Sequence, residues 1–250
     1  QFRYYIQSSK LLIVTDLDAS LLDENYTWDA AQESLVRLSE AAFPVIFNSS
    51  KTLAEMTSLS EKITQQFNTP LRPIIAENGG LIAYPAEGSY NVKLCSIDLE
   101  FILGKAHDLR QKYNYKFTGF SDLCEEELSK LTGLDLKSAQ SAKDRHATEP
   151  ILWQDSQDRF QEFKKTLESF GIRVIRGGQF IHLMGPNDKA DALLELRIFY
   201  TNNQASHHWL IVALGDSPND KSMLEAADFG VLIPNNKHSG FTLASPPSFL

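Results

Sequence analysis

The chain has 250 residues, enough for one large domain or two modest ones. Apolar residues make up 42% of it and charged residues 22%, a balance that supports a packed core and argues against disorder. The net charge of -8, without a cluster of Lys and Arg, disfavours a nucleic-acid groove but leaves room for a small anionic ligand held by local cations. No apolar run approaches the roughly twenty residues of a membrane span, and the first ten residues lack a signal-peptide pattern, so we expect a soluble, cytoplasmic protein.

In the first third of the chain, apolar strand-like runs alternate with segments of helical period. Strands are predicted at 11–14, from Pro44 and from Pro73, and apolar residues at helical spacing lie between them at 31–42 and 56–63. A βαβαβ series of this kind folds into a parallel sheet with right-handed crossovers.

The pattern changes after residue 86 and returns near residue 186. Between these points, helices predicted at 97–113, 125–132 and 158–170 lie among short strand-like pieces, which indicates an α+β unit. The later alternation places helices at 190–200 and 219–227, and strands from Trp209 and Phe229. We therefore predict an α/β fold whose Rossmann-like, parallel-sheet core, residues 1–86 and 186–250, is split by an inserted α+β domain of residues 87–185.

Acidic side chains follow two of the predicted core strands, at the edge where open parallel sheets place their active groups. Asp16 and Asp18 follow the first strand, and Asp216 and Asp220 follow the strand from Trp209. Carboxylates this close repel one another unless a cation lies between them. Two such pairs at converging strand ends suit Mg²⁺, which takes carboxylate, water and phosphate oxygens.

Ser49, after the second predicted strand, and Lys189, at the start of a later helix, form a series of motifs together with the two acidic pairs. The order D-x-D-x-S, Ser, Lys and G-D-x-x-x-D resembles the haloacid dehalogenase superfamily of phosphotransferases, and the insertion resembles its C2-type cap of the C2B kind. More narrowly, the strings FNSSKT, AENGG, TGL, RHATEP and QFIHLMGPNDK resemble the mannosyl-3-phosphoglycerate phosphatase family. This resemblance spans nearly the whole chain.

The resemblance implies a role for each residue of the core motifs. Asp16 would be the nucleophile that accepts the phosphoryl group as an aspartyl-phosphate. Asp18 would be the general acid and base, with its backbone carbonyl at the metal. Asp216 would bind the metal directly, and Asp220 would be a further ligand or an orienting residue. The phosphoryl oxygens would be bound by Ser49 and Lys189.

Substrate contacts are expected from two further sets of residues. One set follows the second and third strands: Ser50, Lys51, Glu77, Asn78 and Gly79. The other belongs to the insertion, where Arg145 and His182 would bind a carboxylate or sugar hydroxyls, and Thr148 and Glu149 would bind hydroxyls. Structural alternatives remain open: Ser49 and Ser50 could cap the helix near Thr52, residues 77–80 could form only a hairpin turn, and His182 could be a core histidine.

One position departs from the family pattern. The family has D-G-T where this chain has Asp18, Ala19 and Ser20, so the hydroxyl is kept and the glycine is lost. If the backbone φ at Ala19 is positive, the alanine strains the loop by roughly 1 kcal/mol. We expect such strain to reduce activity without removing the mechanism.

The expected activity is that of a Mg²⁺-dependent phosphomonoesterase that converts mannosyl-3-phosphoglycerate to mannosylglycerate and phosphate, a step of mannosylglycerate biosynthesis. Its partner would be this small phosphorylated sugar-glycerate, not a nucleic acid or a membrane. Four alternatives stay open: a phosphatase for glucosyl-3-phosphoglycerate, one for another sugar phosphate such as sucrose phosphate, a phosphohexomutase, and a non-catalytic sugar-phosphate sensor. The sequence does not indicate the oligomeric state.

Overall fold

The computed structural model describes residues 9–23, 27–204, 207–234 and 243–244. Within these residues the strands are β1 (Lys10–Thr15), β2 (Val45–Asn48), β3 (Ile74–Ala76), β4 (Leu81–Ala86), β5 (Ser89–Leu94), β6 (Phe117–Gly119), β7 (Thr148–Trp153), β8 (Arg173–Gly177), β9 (Phe180–Met184), β10 (Trp209–Gly215) and β11 (Phe229–Leu232). The α-helices are α1 (Gln32–Glu40), α2 (Leu53–Phe67), α3 (Leu99–Tyr113), α4 (Glu125–Thr132), α5 (Leu136–Lys143), α6 (Gln157–Ser169), α7 (Lys189–Asn203) and α8 (Lys221–Ala226). None of these helices is long and apolar enough to cross a membrane.

The larger sheet has seven strands in the order β11-β10-β1-β2-β3-β4-β5. The strands from β11 to β3 are parallel, and β4 and β5 extend the sheet as antiparallel strands. Both faces of the sheet are covered, as an apolar parallel sheet requires. Leu193 and Met223 of α7 and α8 pack on one face, and Met56 of α2 packs on the other.

The smaller sheet is antiparallel, in the order β6-β7-β9-β8, and its strands lie in the chain between β5 and α7, a segment that we call the cap. Helices α3 and α6 cover one face, where Phe160, Phe163 and Leu167 are buried as the predicted apolar stripe. Helices α4 and α5 pack with Phe120 and Phe180 in a separate cluster.

The α/β prediction is confirmed, with two local differences. The predicted cap boundary at residue 87 does not follow the sheets, because β5 pairs with β4 in the larger sheet; a boundary after β5 does. Helix α5 was not predicted, because its buried face consists only of Ala139 and Ala142, which leave no strong apolar period in the sequence.

Candidate active site

Parallel strand register brings the first and last acidic motifs to one edge of the larger sheet. Thr15 at the end of β1 lies opposite Leu214 of β10, and the backbone N–H of Asp16 donates to the Leu214 carbonyl at 2.9 Å. Asp16 and Asp216 therefore leave adjacent strands at the same level, and both are buried. Asp16 and Asp216 are two hundred positions apart in the chain, and the pairing of β1 with β10 brings them together.

Three carboxylates and one ammonium form the centre of the site. Oxygens of Asp16, Asp216 and Asp220 all lie within 4.8 Å of one another. The Nζ of Lys189, at the first position of α7, donates to Asp16 Oδ1 at 2.7 Å and to Asp220 Oδ1 at 2.6 Å. The Lys189 side chain is only 1% exposed, so its ammonium group interacts with these two carboxylates and hardly at all with water.

The buried charges shift one another's protonation. Burial raises the pKa of Asp16 to about 7, and Lys189 opposes this rise while Asp220 adds to it. For Lys189, burial acts to lower the pKa, but the nearby Asp16 and Asp220 carboxylates outweigh it and raise the pKa above its ordinary value. Lys189 thus bonds to two of three buried carboxylates that lie close together, an arrangement that concentrates negative charge at this site.

This donor set fits a hard divalent cation. Carboxylate oxygens are the ligands that Mg²⁺ prefers, and a doubly charged ion would lower the repulsion among the three carboxylates. Asp16, Asp216 and Asp220 are the described residues whose oxygens could share one ion. The Asp18 carboxylate lies outside this cluster, in line with the expectation that this residue meets a metal through its backbone carbonyl.

Asp220 is held by the loop that it follows. Its Oδ2 accepts hydrogen bonds from the backbone N–H of Asp216 at 3.1 Å and from the N–H and hydroxyl of Ser217, both at 3.2 Å. Its other oxygen accepts from Lys189. Asp220 therefore contacts both Lys189 and the Asp216 loop, and Ser20 adds a hydroxyl donor to Asp216 Oδ1 at 3.3 Å.

The loop after β2 lies beside the acidic centre. Its residues 49–51 follow β2, the parallel neighbour of β1, and Lys51 Nζ is 3.5 Å from Asp18 Oδ2. Ser49 is fully buried, and Ser50 is half-buried. The alternative in which Ser49 and Ser50 cap this helix is wrong, because Thr52 caps α2 in a capping box with Glu55.

The turn after β3 is a hairpin connection, and it is packed against both domains. Strands β3 and β4 are antiparallel, so residues 77–80 form a hairpin turn, while a substrate contact from this turn stays a prediction. Glu77, Asn78 and Gly79 have φ values of 51°, 57° and 85°. A Cβ at Gly79 would lie 2.2 Å from the Asp188 carbonyl oxygen, so this close approach to the start of α7 requires glycine.

The four cap residues are divided between the two faces of the cap sheet. Thr148 lies opposite Met184, and Pro150 opposite His182, so Thr148 and His182 point to the same face. Arg145 Nη1 donates to Thr148 Oγ1 at 2.7 Å. Glu149 points the other way, where its Oε1 accepts from the N–H and hydroxyl of Ser121 at 2.9 and 2.6 Å. Burial raises the pKa of Glu149, although its two hydrogen bonds with Ser121 act to lower it. The structure therefore groups Arg145, Thr148 and His182, whereas Glu149 lies on the other face of the sheet, where the Arg145 charge still acts to lower its pKa.

Two asparagines hold the start of α7 in place, and neither was predicted from the sequence. Asn48, buried at the end of β2, donates to the Lys189 carbonyl at 3.1 Å and so fixes the start of α7. Asn187 donates to the Gly79 carbonyl and ties the turn after β3 to the same helix. A polar residue that ends an apolar strand was the available signal for Asn48, while Asn187 carried none.

Ala19 has the strained backbone that the missing glycine implied. Its φ is 56°, in the left-handed region, where an alanine costs about 1 kcal/mol relative to glycine. We expect Ala19→Gly to raise the free energy of unfolding by about 1 kcal/mol, and to raise kcat because the loop between Asp16 and Ser20 relaxes. Urea unfolding and steady-state kinetics check this. Ala30→Gly, at an exposed position outside this loop, is the control and should not stabilise the chain; equal effects at both sites would contradict the strain.

His182 predicts a loss of stability in acid. Burial, with a smaller effect of the Arg145 charge, lowers the pKa of His182 to about 3, whereas an unfolded histidine titrates near 6.5. The unfolded chain then binds more protons between these values, so the contribution present above pH 6.5 is lost as the pH falls toward 3. Between pH 8 and pH 5 we expect a loss of at most about 2 kcal/mol from this group.

Urea unfolding of His182→Gln at the two pH values checks this expectation, since the variant should lose stability less steeply than the parent chain. The exposed His208 offers the control His208→Gln, which should follow the parent chain. Parallel curves for the parent chain and His182→Gln would contradict the assignment.

Comparisons with known proteins agree on one family. A family model described as haloacid dehalogenase-like hydrolase matches residues 13–245. A glucosyl-3-phosphoglycerate/mannosyl-3-phosphoglycerate phosphatase of Methanococcoides burtonii is 35% identical over 244 residues, covering 92% of this chain and 87% of its own. Among solved structures, a haloacid dehalogenase-like hydrolase from Bacteroides thetaiotaomicron matches with a TM-score of 0.64 at 18% identity, covering 92% of this chain and 90% of its own. A haloacid dehalogenase subclass IIB sugar phosphatase matches with a TM-score of 0.63 at 17% identity, covering 90% and 87%. These two structures bear on the fold alone.

Proposed function

The chain belongs to the haloacid dehalogenase-like hydrolases and is a hydrolase of phosphoric monoesters, and we propose that its substrate is mannosyl-3-phosphoglycerate, which it converts to mannosylglycerate and phosphate. The observation that carries the reaction is the buried cluster of Asp16, Asp216 and Asp220 around Lys189. The sugar-glycerate part rests on the substrates in the name of the relative at 35% identity. Mg²⁺ dependence, a role in mannosylglycerate biosynthesis and a cytoplasmic location are further parts of the proposal.

In the first half of the reaction, the Asp16 carboxylate attacks phosphorus. An Asp16 oxygen–phosphorus bond forms, the bond from phosphorus to the glycerate oxygen breaks, and Asp18 gives its proton to the leaving alkoxide. Asp18 lies two residues after Asp16, and its side chain is 47% exposed beside Lys51. Lys189 and Ser49 offset the charge that spreads over the phosphoryl oxygens.

In the second half, water attacks phosphorus and displaces Asp16. The Asp18 carboxylate takes a proton from this water, a bond from the water oxygen to phosphorus forms, and the Asp16 oxygen–phosphorus bond breaks, which releases phosphate and restores the Asp16 carboxylate. Asp16 and Asp216, with Asp220 beside them, would hold a divalent cation at this edge of the sheet. When bound, the ion supplies positive charge that aligns the phosphate and lowers the repulsion between it and Asp16.

The cap residues would select the remainder of the substrate. Arg145 offers a guanidinium for the glycerate carboxylate, while Thr148 lies beside it on the same face. His182 shares that face, and its lowered pKa keeps the ring neutral, which suits a sugar hydroxyl better than a carboxylate. Ser50, Lys51, Asn78 and Gly79 would line the approach from the core. Closure of the cap over the substrate would exclude water during the first transfer.

A phosphate-release assay on a panel of esters tests the proposal. The panel contains mannosyl- and glucosyl-3-phosphoglycerate, sucrose phosphate and hexose phosphates, each measured with Mg²⁺ and with EDTA. We expect the highest kcat/KM on mannosyl-3-phosphoglycerate, its loss with EDTA and its recovery with added Mg²⁺. A higher kcat/KM on another ester would overturn the substrate. Hexose phosphate interconversion without free phosphate would indicate a mutase, and binding without turnover of any ester a sensor.

A further inference from the structure

Both carboxylate oxygens of Glu77 accept hydrogen bonds from the cap. Its Oε1 accepts from the backbone N–H of His146 at 2.8 Å. Its Oε2 accepts from the N–H of Ala147 at 2.9 Å, and from the N–H and hydroxyl of Thr148 at 2.8 and 2.9 Å. Glu77 is 0% exposed, so no water competes for these four bonds. A carboxylate committed in this way has little capacity left for a substrate.

The Glu77 backbone is fixed to the opposite side, in the core. Its N–H donates to the Lys51 carbonyl at 2.9 Å, and the N–H of Asn78 donates to the Ser49 carbonyl, also at 2.9 Å. The φ of 51° at Glu77 is costly for a residue with a Cβ, and only a surrounding structure that determines the backbone sustains it. Glu77 is thus bonded on one side to the loop that would bind the phosphoryl group, and on the other to the cap.

Close packing surrounds this connection. A Cβ at Gly80 would lie 2.5 Å from the Ala147 Cβ, so the hairpin turn and the cap segment 146–148 touch. A second polar contact lies nearby, where Thr52 Oγ1 donates to the Ser141 carbonyl at the end of α5 at 2.7 Å. The same cap segment follows Arg145, which would read the substrate beyond its phosphate, and Thr148 Oγ1 accepts from Arg145 Nη1 at 2.7 Å.

We propose that Glu77 is a positioning residue that, through Thr148, sets the distance between the phosphate loop, residues 49–51, and the cap residue Arg145. The inference rests on the proposed function for the identity of the two subsites, and it replaces the expected substrate contact of Glu77. The buried amides of residues 146–148 need a strong acceptor, and no neutral side chain can accept four donors as a carboxylate does. The distance it fixes matters only for a substrate long enough to touch both the phosphate loop and the cap.

The Glu77→Gln variant tests this through two substrates of different length. Glutamine keeps the size of the side chain but places an N–H₂ against backbone N–H donors, which breaks part of the connection. We expect kcat/KM for the best sugar phosphate of the parent chain to fall about 10²-fold, the size of effect that a misplaced binding group produces. The kcat for p-nitrophenyl phosphate, which is too short to reach the cap, should stay nearly unchanged. Hydrogen exchange at the amides of residues 146–148 should become faster.

Glu127→Gln is the matched control, because Glu127 Oε2 accepts a backbone N–H at 2.8 Å wholly within the cap. It should leave both substrates and the exchange of residues 146–148 unchanged. Equal losses of Glu77→Gln on both substrates would overturn the proposal, since they place Glu77 in the phosphoryl site or in general folding. Faster exchange without a kinetic split, or a split without faster exchange, would overturn it as well.

This design separates failure of the inference from failure of the proposed function. The long substrate is whichever sugar phosphate the parent chain hydrolyses best, so a wrong sugar does not affect the comparison. If the parent chain hydrolysed no ester at all, the proposed function would fail. The exchange measurement would then still decide whether Glu77 holds the cap segment, with unchanged exchange in Glu77→Gln contradicting the inference.

Discussion

Asp16→Asn is expected to lower the rate of phosphate release by at least about 10⁴-fold, the scale of loss seen when a nucleophile is removed. An amide cannot attack phosphorus, and Lys189 and Asp216 would still surround the substrate without a group to receive the phosphoryl. The variant should remain folded, because Asn has nearly the same volume and removes one of three buried negative charges. Steady-state phosphate release, measured with saturating Mg²⁺, gives the result.

The control for this prediction is Asp108→Asn, an exposed carboxylate on the cap helix α3. Its rate should equal that of the parent chain. A rate for Asp16→Asn within tenfold of the parent would mean that another group receives the phosphoryl, or that water attacks the ester directly.

Lys189→Met should cause the largest loss of stability together with a large loss of activity. The side chain is 1% exposed and lies between Asp16 and Asp220. Its removal would leave buried carboxylates without their cation, which costs about 3–5 kcal/mol. Loss of a donor to the phosphoryl oxygens should lower kcat by about 10²-fold or more. Urea unfolding in EDTA and steady-state kinetics in Mg²⁺ measure the two effects separately.

Two companion variants make the Lys189 result specific. Lys93→Met removes a lysine whose Nζ lies at a similar 2.8 Å from Glu195 but at the surface, where an ion pair contributes at most about 1 kcal/mol. Lys189→Met combined with Asp16→Asn should regain part of the lost stability and none of the activity, because one uncompensated carboxylate is gone. Equal small losses for Lys189→Met and Lys93→Met would contradict the buried charge balance.

The sequence predicted the core of this site because its chemistry and its fold share one signal. Apolar runs that end in Asp16 and Asp216 identify both the parallel strands and the acidic groups at their carboxyl ends, so periodicity and residue type point to the same edge. The motif also drew attention to Ala19, because glycine supplies a left-handed backbone at many such positions, and the φ of 56° shows that this condition is met here.

The parts that escaped prediction depend on contacts between residues far apart in the chain. Nothing local distinguishes Glu77 as a ligand for cap amides, because its partners lie some seventy positions later. The side of the cap sheet on which Glu149 lies depends on the register of β7 against β9, which the sequence does not specify. Helix α5 is stabilised by packing on two alanines, not by an apolar stripe.

The most direct test of this account is to identify the residue that carries the phosphoryl group during turnover. The chain would be mixed with substrate and Mg²⁺, quenched within the first turnover and treated with borohydride, which reduces an acyl phosphate to an alcohol. Peptide mass spectrometry then locates the modified residue. We predict homoserine at position 16 and nowhere else, and none in Asp16→Asn. Modification of a different residue, or an unmodified Asp16 in a chain that is hydrolysing its substrate, would contradict the account.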